Sequence, residues 1–535
     1  MASKWHQHPL SLTAGACGLA GVTWLVCREL KQRPDVIQKC SSTSDVIRRY
    51  SVTLLKTISS SDRVSDLART ETAHYLNSDP SFQVPNLDKV EPMMVRKAQT
   101  CDYMHQRRRI VVALVGLPAR GKSFLSLRIQ AFFTWQGART KIFNVGQRRR
   151  QVEAADQDSS YFDPNNSAAK ESREAIAMSV VREMLEWMDK KGALPAVAIF
   201  DATNSTAERR RRVQKAVKDH SPAYDVVFLE SLCDDPEILD ANIRMKCIKS
   251  PDYKHMTYDE AKKDFEARVE KYKSAYEPLD NDGKIESDLS YIKMINMSAH
   301  LVAHNVYGRR ALSLLPFLMA LHIGSRPVWL VRMPRPEGDF RFSFRQWLFP
   351  ESYARNFGDQ SMSKEGLKYA AKLANYLQQD ATFQTARIFT CSHRRAMQTA
   401  SLIDCTGERT AVRAHLNPME WGRYNGIPRK DFERKTSAEF FKDFCHDPMR
   451  TRFPGGESYE DFARRLNPVL VEVEQQVEPV IIIAPISTLQ VLHCYFDGNL
   501  VSSASEIKIE PHTVVEWRPV GGLFKKRVIT EAELC

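Results

Sequence analysis

The sequence lacks paired cysteines. Its 535 residues include 11 cysteines, and no two of them stand in a C-x-x-C spacing. Zinc sites and disulfide frameworks usually show such regular spacing, so neither is predicted. A scattered, odd-numbered set of thiols is typical of a reducing compartment, which favours a cytoplasmic location.

Long apolar runs are also scarce. Residues 9–27 form an uncharged stretch near the length of a membrane span, and Gly, Ala, Ser and Thr dilute it. Arg28, Lys31 and Arg33 follow, so a signal anchor would tether the protein to a membrane and leave the rest in the cytosol. The alternatives are an apolar tail without membrane contact and a cleaved secretory signal. The secretory signal is disfavoured because it would carry the nucleotide site described below away from ATP.

Aromatic side chains do not alternate with the basic ones. The net charge is +12, and the arginine runs are short, at 107–109, 148–150 and 209–212. Single-stranded nucleic acid binds where bases stack on aromatic rings between cations, so no nucleic-acid partner is predicted. The excess of positive charge fits either a solvated basic surface or a site for phosphorylated small molecules.

The length of the chain exceeds what one hydrophobic core usually supports. We predict an N-terminal extension at 1–104, a first domain at 105–325 and a second at 326–535. Buried apolar runs alternate with helical stretches in both domains, which predicts α/β folds with doubly wound sheets. These runs lie at 110–115, 196–200 and 224–229, and again at 327–331, 386–390 and 479–483.

A phosphate-binding loop (P-loop) stands between the first apolar run and a helical stretch. Residues Gly116 to Ser123 read GLPARGKS, a complete match to G-x-x-x-x-G-K-[ST]. Backbone N–H groups of such a loop hold phosphate oxygens at the N-terminus of the following helix. Lys122 is expected to contact the outer phosphates, and the Ser123 hydroxyl to bind Mg²⁺.

Asp201 ends the second apolar run, where a P-loop enzyme needs a carboxylate near the metal and the acceptor. An isolated aspartate at this place would be read as an ordinary turn residue. Thr203, Asn204 and the arginine run 209–212 follow directly. Since arginine binds phosphate in a planar, bidentate way, the pattern favours a site for a sugar phosphate.

The sequence resembles the 6-phosphofructo-2-kinase/fructose-2,6-bisphosphatase family, and the likeness extends into the second half. The resemblance depends on six stretches of the first half. They are VGLPARGKS at 115–123, FNVGQRRR at 143–150, FDATNSTAERR at 200–210, ESLCDDPEIL at 230–239, SPDY at 250–253 and LSYIKMIN at 289–296.

The resemblance implies ATP and Mg²⁺ as cofactors, fructose 6-phosphate as substrate, and a homodimer. The implied catalytic residues are Asp201, Lys122 and Cys233, although a buried structural thiol is an equal alternative for Cys233. The metal ligands are Ser123 and Asp201. The implied ATP-binding residues are Gly116, Leu117, Pro118, Ala119, Arg120, Gly121, Lys122, Ser123, Asn242 and Lys246. The implied fructose 6-phosphate contacts are Arg149, Arg173, Thr203, Arg209, Arg268 and Tyr272.

Two positions of the first half depart from the family pattern. Arg148 stands where the family has a tyrosine, and Cys247 stands where the family has a lysine. Lys246 and Lys249 flank that cysteine, but a shift of one residue turns a side chain by about 100° around a helix. The sequence leaves open whether either lysine reaches the phosphates.

The second half resembles a histidine phosphatase without its reactive groups. The positions of the nucleophilic histidine, the acid and the second histidine hold Met333, Pro418 and Pro485. None of these side chains accepts a phosphoryl group or transfers a proton. We therefore expect a retained phosphatase fold without phosphatase activity, in which Arg332, Arg395 and Arg452 offer an anion-binding cleft. His393 and His493 are the candidate substitutes, and ordinary structural roles are the alternative.

The predicted function is ATP-dependent phosphorylation of fructose 6-phosphate at its 2-hydroxyl group. The first alternative is a non-catalytic regulator that binds nucleotide or sugar phosphate, which the changes at Arg148 and Cys247 motivate. The second is a bifunctional kinase/bisphosphatase whose phosphatase site is rescued by another histidine.

Overall fold

The computed structural model describes residues 109–153, 159–190, 195–280, 286–297, 299–322, 324, 326–336, 360–379, 381–425 and 432–534. The predicted extension and its apolar segment 9–27 lie outside these residues. Among the helices of the described ranges, none is long and apolar enough to cross a membrane. All of the described residues belong to one compact unit. We call residues 109–322 the first half and residues 326–534 the second half.

The first half contains a six-stranded sheet in the order β2-β3-β1-β4-β5-β6. All neighbouring strands are parallel except β5 and β6. The strands are β1 (Ile110–Val115), β2 (Arg139–Asn144), β3 (Ala196–Asp201), β4 (Asp225–Leu232), β5 (Tyr291–Ile295) and β6 (His300–His304). Because the carboxyl ends of β1 to β4 meet at one edge, the loops that follow them converge there.

Within the described part of the first half, seven helices accompany this sheet. They are α1 (Lys122–Trp135), α2 (Val145–Val152), α3 (Ser167–Asp189), α4 (Ala207–His220), α5 (Pro236–Lys249), α6 (Tyr258–Ser274) and α7 (Arg309–Ala320). Short 3₁₀ turns lie at Ser159–Phe162 and Pro251–Tyr253. Side-chain caps fix several helix starts, as at Thr257, whose hydroxyl accepts from the Glu260 N–H while the Glu260 carboxylate accepts from the Thr257 N–H.

The second half contains a six-stranded sheet in the order β12-β11-β7-β10-β8-β9. Strands β7, β10, β8 and β9 are parallel, whereas β11 runs antiparallel to both of its neighbours. The strands are β7 (Val328–Arg332), β8 (Arg387–Thr390), β9 (Thr410–Val412), β10 (Val480–Ala484), β11 (Val514–Val520) and β12 (Leu523–Ile529). The helices are α8 (Lys364–Gln379), α9 (Ala381–Gln384), α10 (Arg394–Ile403), α11 (Phe432–Lys435), α12 (Ala438–His446), α13 (Tyr459–Gln475) and α14 (Ile486–Asp497).

Strand β1 shows how the core is divided. Its six residues are all buried, as a central strand with both faces covered requires. Ile110, Val112 and Leu114 pack in a hydrophobic cluster with α1 and with the second half. The alternate residues of β1 pack in a separate cluster with α3 and α4. The predicted fold class, an α/β P-loop domain followed by a histidine-phosphatase-like α/β domain, is confirmed.

Candidate active site

The P-loop follows β1 and passes close to β4. Gly116 has φ 138°, and a Cβ atom there would lie 2.6 Å from the Ser231 carbonyl oxygen. Only glycine allows this backbone angle and this close approach together. The Gly116 N–H donates to the Thr203 carbonyl at 2.9 Å, which ties the loop to the end of β3.

Three side chains from other elements hold the loop and the end of β1 by hydrogen bonds to backbone carbonyl groups. The Asn242 amide of α5 donates to the Ala119 carbonyl at 3.0 Å, and Ser231 donates to the Arg120 carbonyl. Asn204 donates to the carbonyl of Leu114 at 2.6 Å. Since the carbonyl groups are bound from behind, the loop N–H groups and the start of α1 are left for an anion.

Asp201 lies at the centre of the polar groups. It is buried, and its Oδ2 accepts from the Ser123 hydroxyl at 3.3 Å and from the Asn144 amide at 2.6 Å. Burial raises the pKa of Asp201, while Lys122 and Lys246 act in the opposite direction. Asn144 was not among the predicted site residues; its place opposite Asp201 follows from the register of β2 and β3.

Two lysine ammonium groups lie close enough to Asp201 to interact with its carboxylate. Lys122 donates to the Leu117 carbonyl at 2.7 Å. Burial lowers the pKa of Lys122 to about 7, and repulsion from Lys246 adds to this effect. Burial also lowers the pKa of Lys246, while attraction to Asp201 opposes the change. The two charges therefore act on the same small volume beside the carboxylate.

Cys247 points away from this volume. It is 6% exposed and packs in a hydrophobic cluster with Ala119, Tyr253, Ala261 and Phe265. Lys246 and Lys249 both expose much of their side chains on α5, but the Lys246 ammonium group is desolvated enough for its pKa to be lowered. Arg148, the other departure from the family pattern, is exposed on α2.

A buried carboxylate gathers three of the arginines. Asp252 Oδ1 accepts from Arg149 Nη2 at 2.7 Å, and Asp252 Oδ2 accepts from Arg268 Nη1 at 3.3 Å. Arg150 Nη1 lies 3.6 Å from the same Oδ2. Two of the bonded arginines, Arg149 and Arg268, are predicted substrate residues, whereas Asp252 was quoted only as part of the SPDY stretch.

Two neighbouring aromatic residues, Tyr161 and Phe162, pack against arginines of this site. The Arg268 guanidinium lies 3.7 Å from the centre of the Phe162 ring. The centre of the Tyr272 ring lies 5.7 Å from the centre of the Phe162 ring. Arg173 lies 5.6 Å from the Tyr161 ring and donates to the Tyr161 carbonyl. Such contacts hold guanidinium planes in place without using all of their N–H groups. The 3₁₀ turn that carries this pair had no signal in the sequence.

Two guanidinium nitrogens in this cluster have no hydrogen-bond partner among the described residues. They are Arg149 Nη1 and Arg268 Nε, and both atoms are buried. A buried donor without a partner is costly, so its presence points to a ligand that accepts from it. The positive charge of the guanidinium groups favours an anionic acceptor, and phosphate is a common partner of arginine.

The remaining predicted residues of the first half have different surroundings. Arg209 Nε donates to Glu174 Oε2 at 2.6 Å, so its charge is compensated by a protein carboxylate. Thr203 contributes its carbonyl to Gly116 as described above. Cys233 is a buried free thiol just after β4. The predicted roles of these residues stay predictions.

The residues beside the P-loop fit a magnesium ion. No group of three or more His, Cys, Asp or Glu residues in the described ranges forms a metal cage. Mg²⁺ in nucleotide sites needs only one or two protein oxygens, because phosphates and water supply the others. Ser123 Oγ and Asp201 Oδ2, 3.3 Å apart, offer such a pair.

The three degenerate phosphatase positions lie in or near the core of the second half. Met333 is 8% exposed, and its Sδ lies 3.6 Å from the Cys391 thiol. The Pro418 carbonyl accepts from Arg465 at 2.9 Å. Pro485 is buried directly before α14. None of these side chains carries an ionisable group.

The predicted anion-binding arginines of the second half are engaged with the protein. Arg332 donates to the Ile509 carbonyl, Arg395 to the Pro334 carbonyl at 2.7 Å, and Arg452 to Asp461 at 2.8 Å. His493 is 4% exposed and packs edge-on against Trp517, 4.9 Å between ring centres. Burial lowers the pKa of His493 to about 4, which is typical of a core histidine. His393 stands at the start of α10.

Two family models match the chain: 6-phosphofructo-2-kinase over residues 97–325, and histidine phosphatase superfamily (branch 1) over 352–530. Human 6-phosphofructo-2-kinase/fructose-2,6-bisphosphatase 4 is 32% identical over 411 residues, which cover 77% of this chain and 82% of that protein. The 6-phosphofructo-2-kinase/fructose-2,6-bisphosphatase of Caenorhabditis elegans is 34% identical over 415 residues, 76% of this chain and 86% of that protein. Among solved structures, the alpha-ribazole phosphatase of Shigella flexneri matches with a TM-score of 0.30 and 17% identity, covering 38% of this chain and 96% of that one.

The similarity to these relatives spans most of both chains and includes both halves. The P-loop, Asp201 and the arginine cluster lie inside the kinase match, and Met333 lies just before the phosphatase match. The chain therefore belongs to the 6-phosphofructo-2-kinase/fructose-2,6-bisphosphatase family.

Proposed function

We propose that this protein transfers the γ-phosphoryl group of ATP to the 2-hydroxyl of fructose 6-phosphate and does not hydrolyse the product. The observation that carries the proposal is the pair of anion sites around Asp201. The P-loop with Lys122 lies beside Asp201. The Arg149–Asp252–Arg268 cluster has two buried donors without a partner among the described residues, and it is close enough for Arg268 to repel the ammonium groups of Lys122 and Lys246. Two phosphorylated ligands are what such an arrangement accommodates.

The chemistry follows from the groups at the centre. The acceptor hydroxyl forms the new O–P bond as the bond between the γ-phosphorus and the ADP oxygen breaks, and ADP leaves. Asp201 orients the hydroxyl and takes its proton; burial, which raises its pKa, makes it a better base. Lys122 and Lys246 offset the negative charge on the transferring group, and positioning supplies most of the catalysis. Ser123 and Asp201 would hold Mg²⁺, which would supply positive charge for the phosphate oxygens.

Loss of the phosphatase reaction is supported by side-chain chemistry. Met333 has no basic nitrogen for a phosphoryl group, and Pro418 and Pro485 cannot transfer protons. His493 is turned into the core, so it does not replace the missing nucleophile. The family relatives named above are kinases and bisphosphatases in one chain. This member is proposed to retain only the first reaction.

Further parts of the proposal concern assembly and location. A homodimer formed through the first half is proposed from the family resemblance; β6 is an edge strand whose residues are mostly exposed. A cytoplasmic location with tethering through residues 9–27 is proposed from the sequence. Fractionation of the full chain against a version that starts after residue 40 tests the tether.

The direct test is incubation of the purified full chain with ATP, Mg²⁺ and fructose 6-phosphate. We expect an acid-labile fructose bisphosphate, and we expect Asp201→Asn to reduce its formation by about 10²-fold or more because the base is lost. Asp219→Asn is the control, since Asp219 is exposed near the end of α4 whereas Asp201 is buried. Binding of ATP without any product would favour the regulator instead.

A further inference from the structure

Helix α1 connects the P-loop to the second half. Its first residues, Lys122 and Ser123, belong to the nucleotide site. Its buried residues Leu125, Ile129 and Phe132 share one hydrophobic cluster with β7, β10 and α14. A helix that is apolar on nearly all sides must be buried on nearly all sides, and the second half covers what the first sheet leaves free.

A buried polar network joins α1 to two helices of the second half. Arg128 Nη2 lies 2.5 Å from Glu474 Oε2 of α13 and donates to the Tyr495 hydroxyl of α14 at 2.9 Å. Tyr495 in turn donates to Glu474 Oε1 at 3.1 Å. The exposed fractions are 4% for Arg128, 6% for Glu474 and 0% for Tyr495. All three groups are thus removed from water and depend on one another for hydrogen bonds.

The β11–β12 hairpin covers the outer side of the same helix. Gly522, at the turn, has φ 94°, and a Cβ atom there would lie 3.2 Å from Phe124 and 3.3 Å from Leu127 of α1. The Phe524 ring centre lies 4.6 Å from the Arg128 guanidinium. Phe124 and Leu127, which are both half-buried, therefore lie against the second half.

The C-terminal end of α1 is attached in the same way. The buried Trp135 indole N–H donates to the Val491 carbonyl of α14 at 2.9 Å, and its ring packs against Tyr495, 6.0 Å between centres. Contacts with the second half thus run along α1 from Phe124 to Trp135. A rigid helix transmits the position of its contacts to its own N-terminus, where Lys122 and Ser123 lie.

We infer that the phosphatase-like half serves the kinase as a scaffold that holds the P-loop helix, with Arg128, Glu474 and Tyr495 as positioning residues. The role explains how the fold of the second half can be kept while its reactive side chains are replaced. It rests on the proposed function only in that the P-loop binds Mg-ATP. The second half provides the contacts, and the affinity of the nucleotide site is the property that depends on them.

The attraction within the network is strong enough to matter. Burial would raise the pKa of Glu474, but Arg128 and Arg326 outweigh it and lower the pKa. Removing one partner of a buried ion pair leaves the other charge uncompensated, which is far more disruptive than losing a surface pair. When Glu474 is replaced, we expect the Arg128 side chain to move and helix α1 to move with it.

The test uses the full chain with Glu474→Gln and with the milder Tyr495→Phe, which removes only a hydroxyl. We expect the dissociation constant for Mg-ATP, measured by calorimetry, to rise by at least about threefold in both variants, as coupled contacts imply. The KM for ATP is expected to rise in parallel, and the KM for fructose 6-phosphate to change less. Circular dichroism establishes that each variant is folded at the temperature used.

Glu472→Gln is the matched control. It lies on the same helix, two residues from Glu474, and pairs with Arg413 inside the second half at 2.7 Å. Its affinity for Mg-ATP should equal that of the wild type. If Glu474→Gln does not fold, Tyr495→Phe alone decides.

Variants that melt earlier yet bind Mg-ATP as tightly as the wild type would overturn the inference, because the network would then be structural only. Unchanged melting and unchanged binding would overturn it too. The inference and the proposed function fail separately: a wild type that binds Mg-ATP but forms no bisphosphate disproves the kinase reaction and leaves the binding comparison valid.

Discussion

At the residue scale, Lys122 stands out because its pKa is lowered to about 7, chiefly by burial. A lysine in that state is only partly charged at neutral pH. The triphosphate of ATP favours the charged form of a neighbouring ammonium group and raises its pKa again. Nucleotide binding and protonation of Lys122 are therefore linked.

The linkage predicts proton uptake on binding Mg-ATP. At a pH roughly one unit above the pKa of the free site, Lys122 is mostly neutral before binding and charged afterwards. Calorimetry in buffers of different ionisation enthalpy should show uptake of up to about one proton, fading at lower pH where Lys122 is already charged. An arginine stays charged throughout this pH range, so the Lys122→Arg variant should bind Mg-ATP without this proton uptake. Equal uptake in both proteins would assign the proton to another group.

Asp252 is the second residue whose role follows from its contacts. Its carboxylate is 4% exposed and bonds Arg149 and Arg268. It thereby fixes the guanidinium groups over Phe162 before any substrate arrives. An arrangement made in advance lowers the entropy that binding must overcome.

Asp252→Asn should therefore raise the KM for fructose 6-phosphate by about tenfold, the worth of one charged hydrogen bond. The KM for ATP should stay within about twofold, because the P-loop is held by Asn242 and Ser231 instead. Steady-state kinetics with each substrate varied in turn measures both values. A parallel rise of both KM values would indicate general unfolding rather than loss of positioning.

At the scale of elements, helix α5 decides which side chain faces the nucleotide. Asn242 and Lys246 are four residues apart and lie on one helical face, and Asn242 already touches the P-loop. Cys247, one residue on, packs among Ala119, Tyr253 and Phe265. The family's lysine is missing at position 247, but the adjacent Lys246 lies near Asp201.

Lys246→Ala is expected to lower kcat/KM by about tenfold or more, since a cation near the transferring phosphoryl is lost. Lys249→Ala, an exposed lysine on the same helix, should behave like the wild type. Cys247→Lys should destabilise the protein without raising turnover, because it forces an ammonium group into an apolar cluster. A large gain in turnover from Cys247→Lys would instead mean that the wild-type site is catalytically incomplete.

At the scale of the whole molecule, the second half has a phosphatase-like sheet, and Met333, Pro418 and Pro485 stand at the three positions of the reactive groups. Fructose 2,6-bisphosphate should release no phosphate when incubated with the full chain, and no phosphohistidine should form. Met333→His alone should not change this, since Pro418 and Pro485 still leave the proton transfers without a donor. Phosphate release that disappears in a His393→Ala variant would contradict the proposal and favour a bifunctional enzyme.

The sequence was informative where function depends on contiguous residues. The P-loop and the carboxylate at the end of β3 were predicted because strand, loop and helix follow one another along the chain. The replacements at the three phosphatase positions could be predicted for the same reason, because each is a single side chain within a recognisable stretch. The fold class followed from the alternation of buried apolar runs with helices.

The tertiary structure decided what depends on residues far apart in the chain. Asp252 meets Arg149 across 103 positions, and Arg128 meets Tyr495 across 367. Charged residues have many possible partners, and burial selects among them only once the chain has folded. For that reason the sequence by itself determined the chemistry of the nucleotide site. Only the folded chain showed that Asp252 bonds Arg149 and Arg268 and that the second half packs along the P-loop helix.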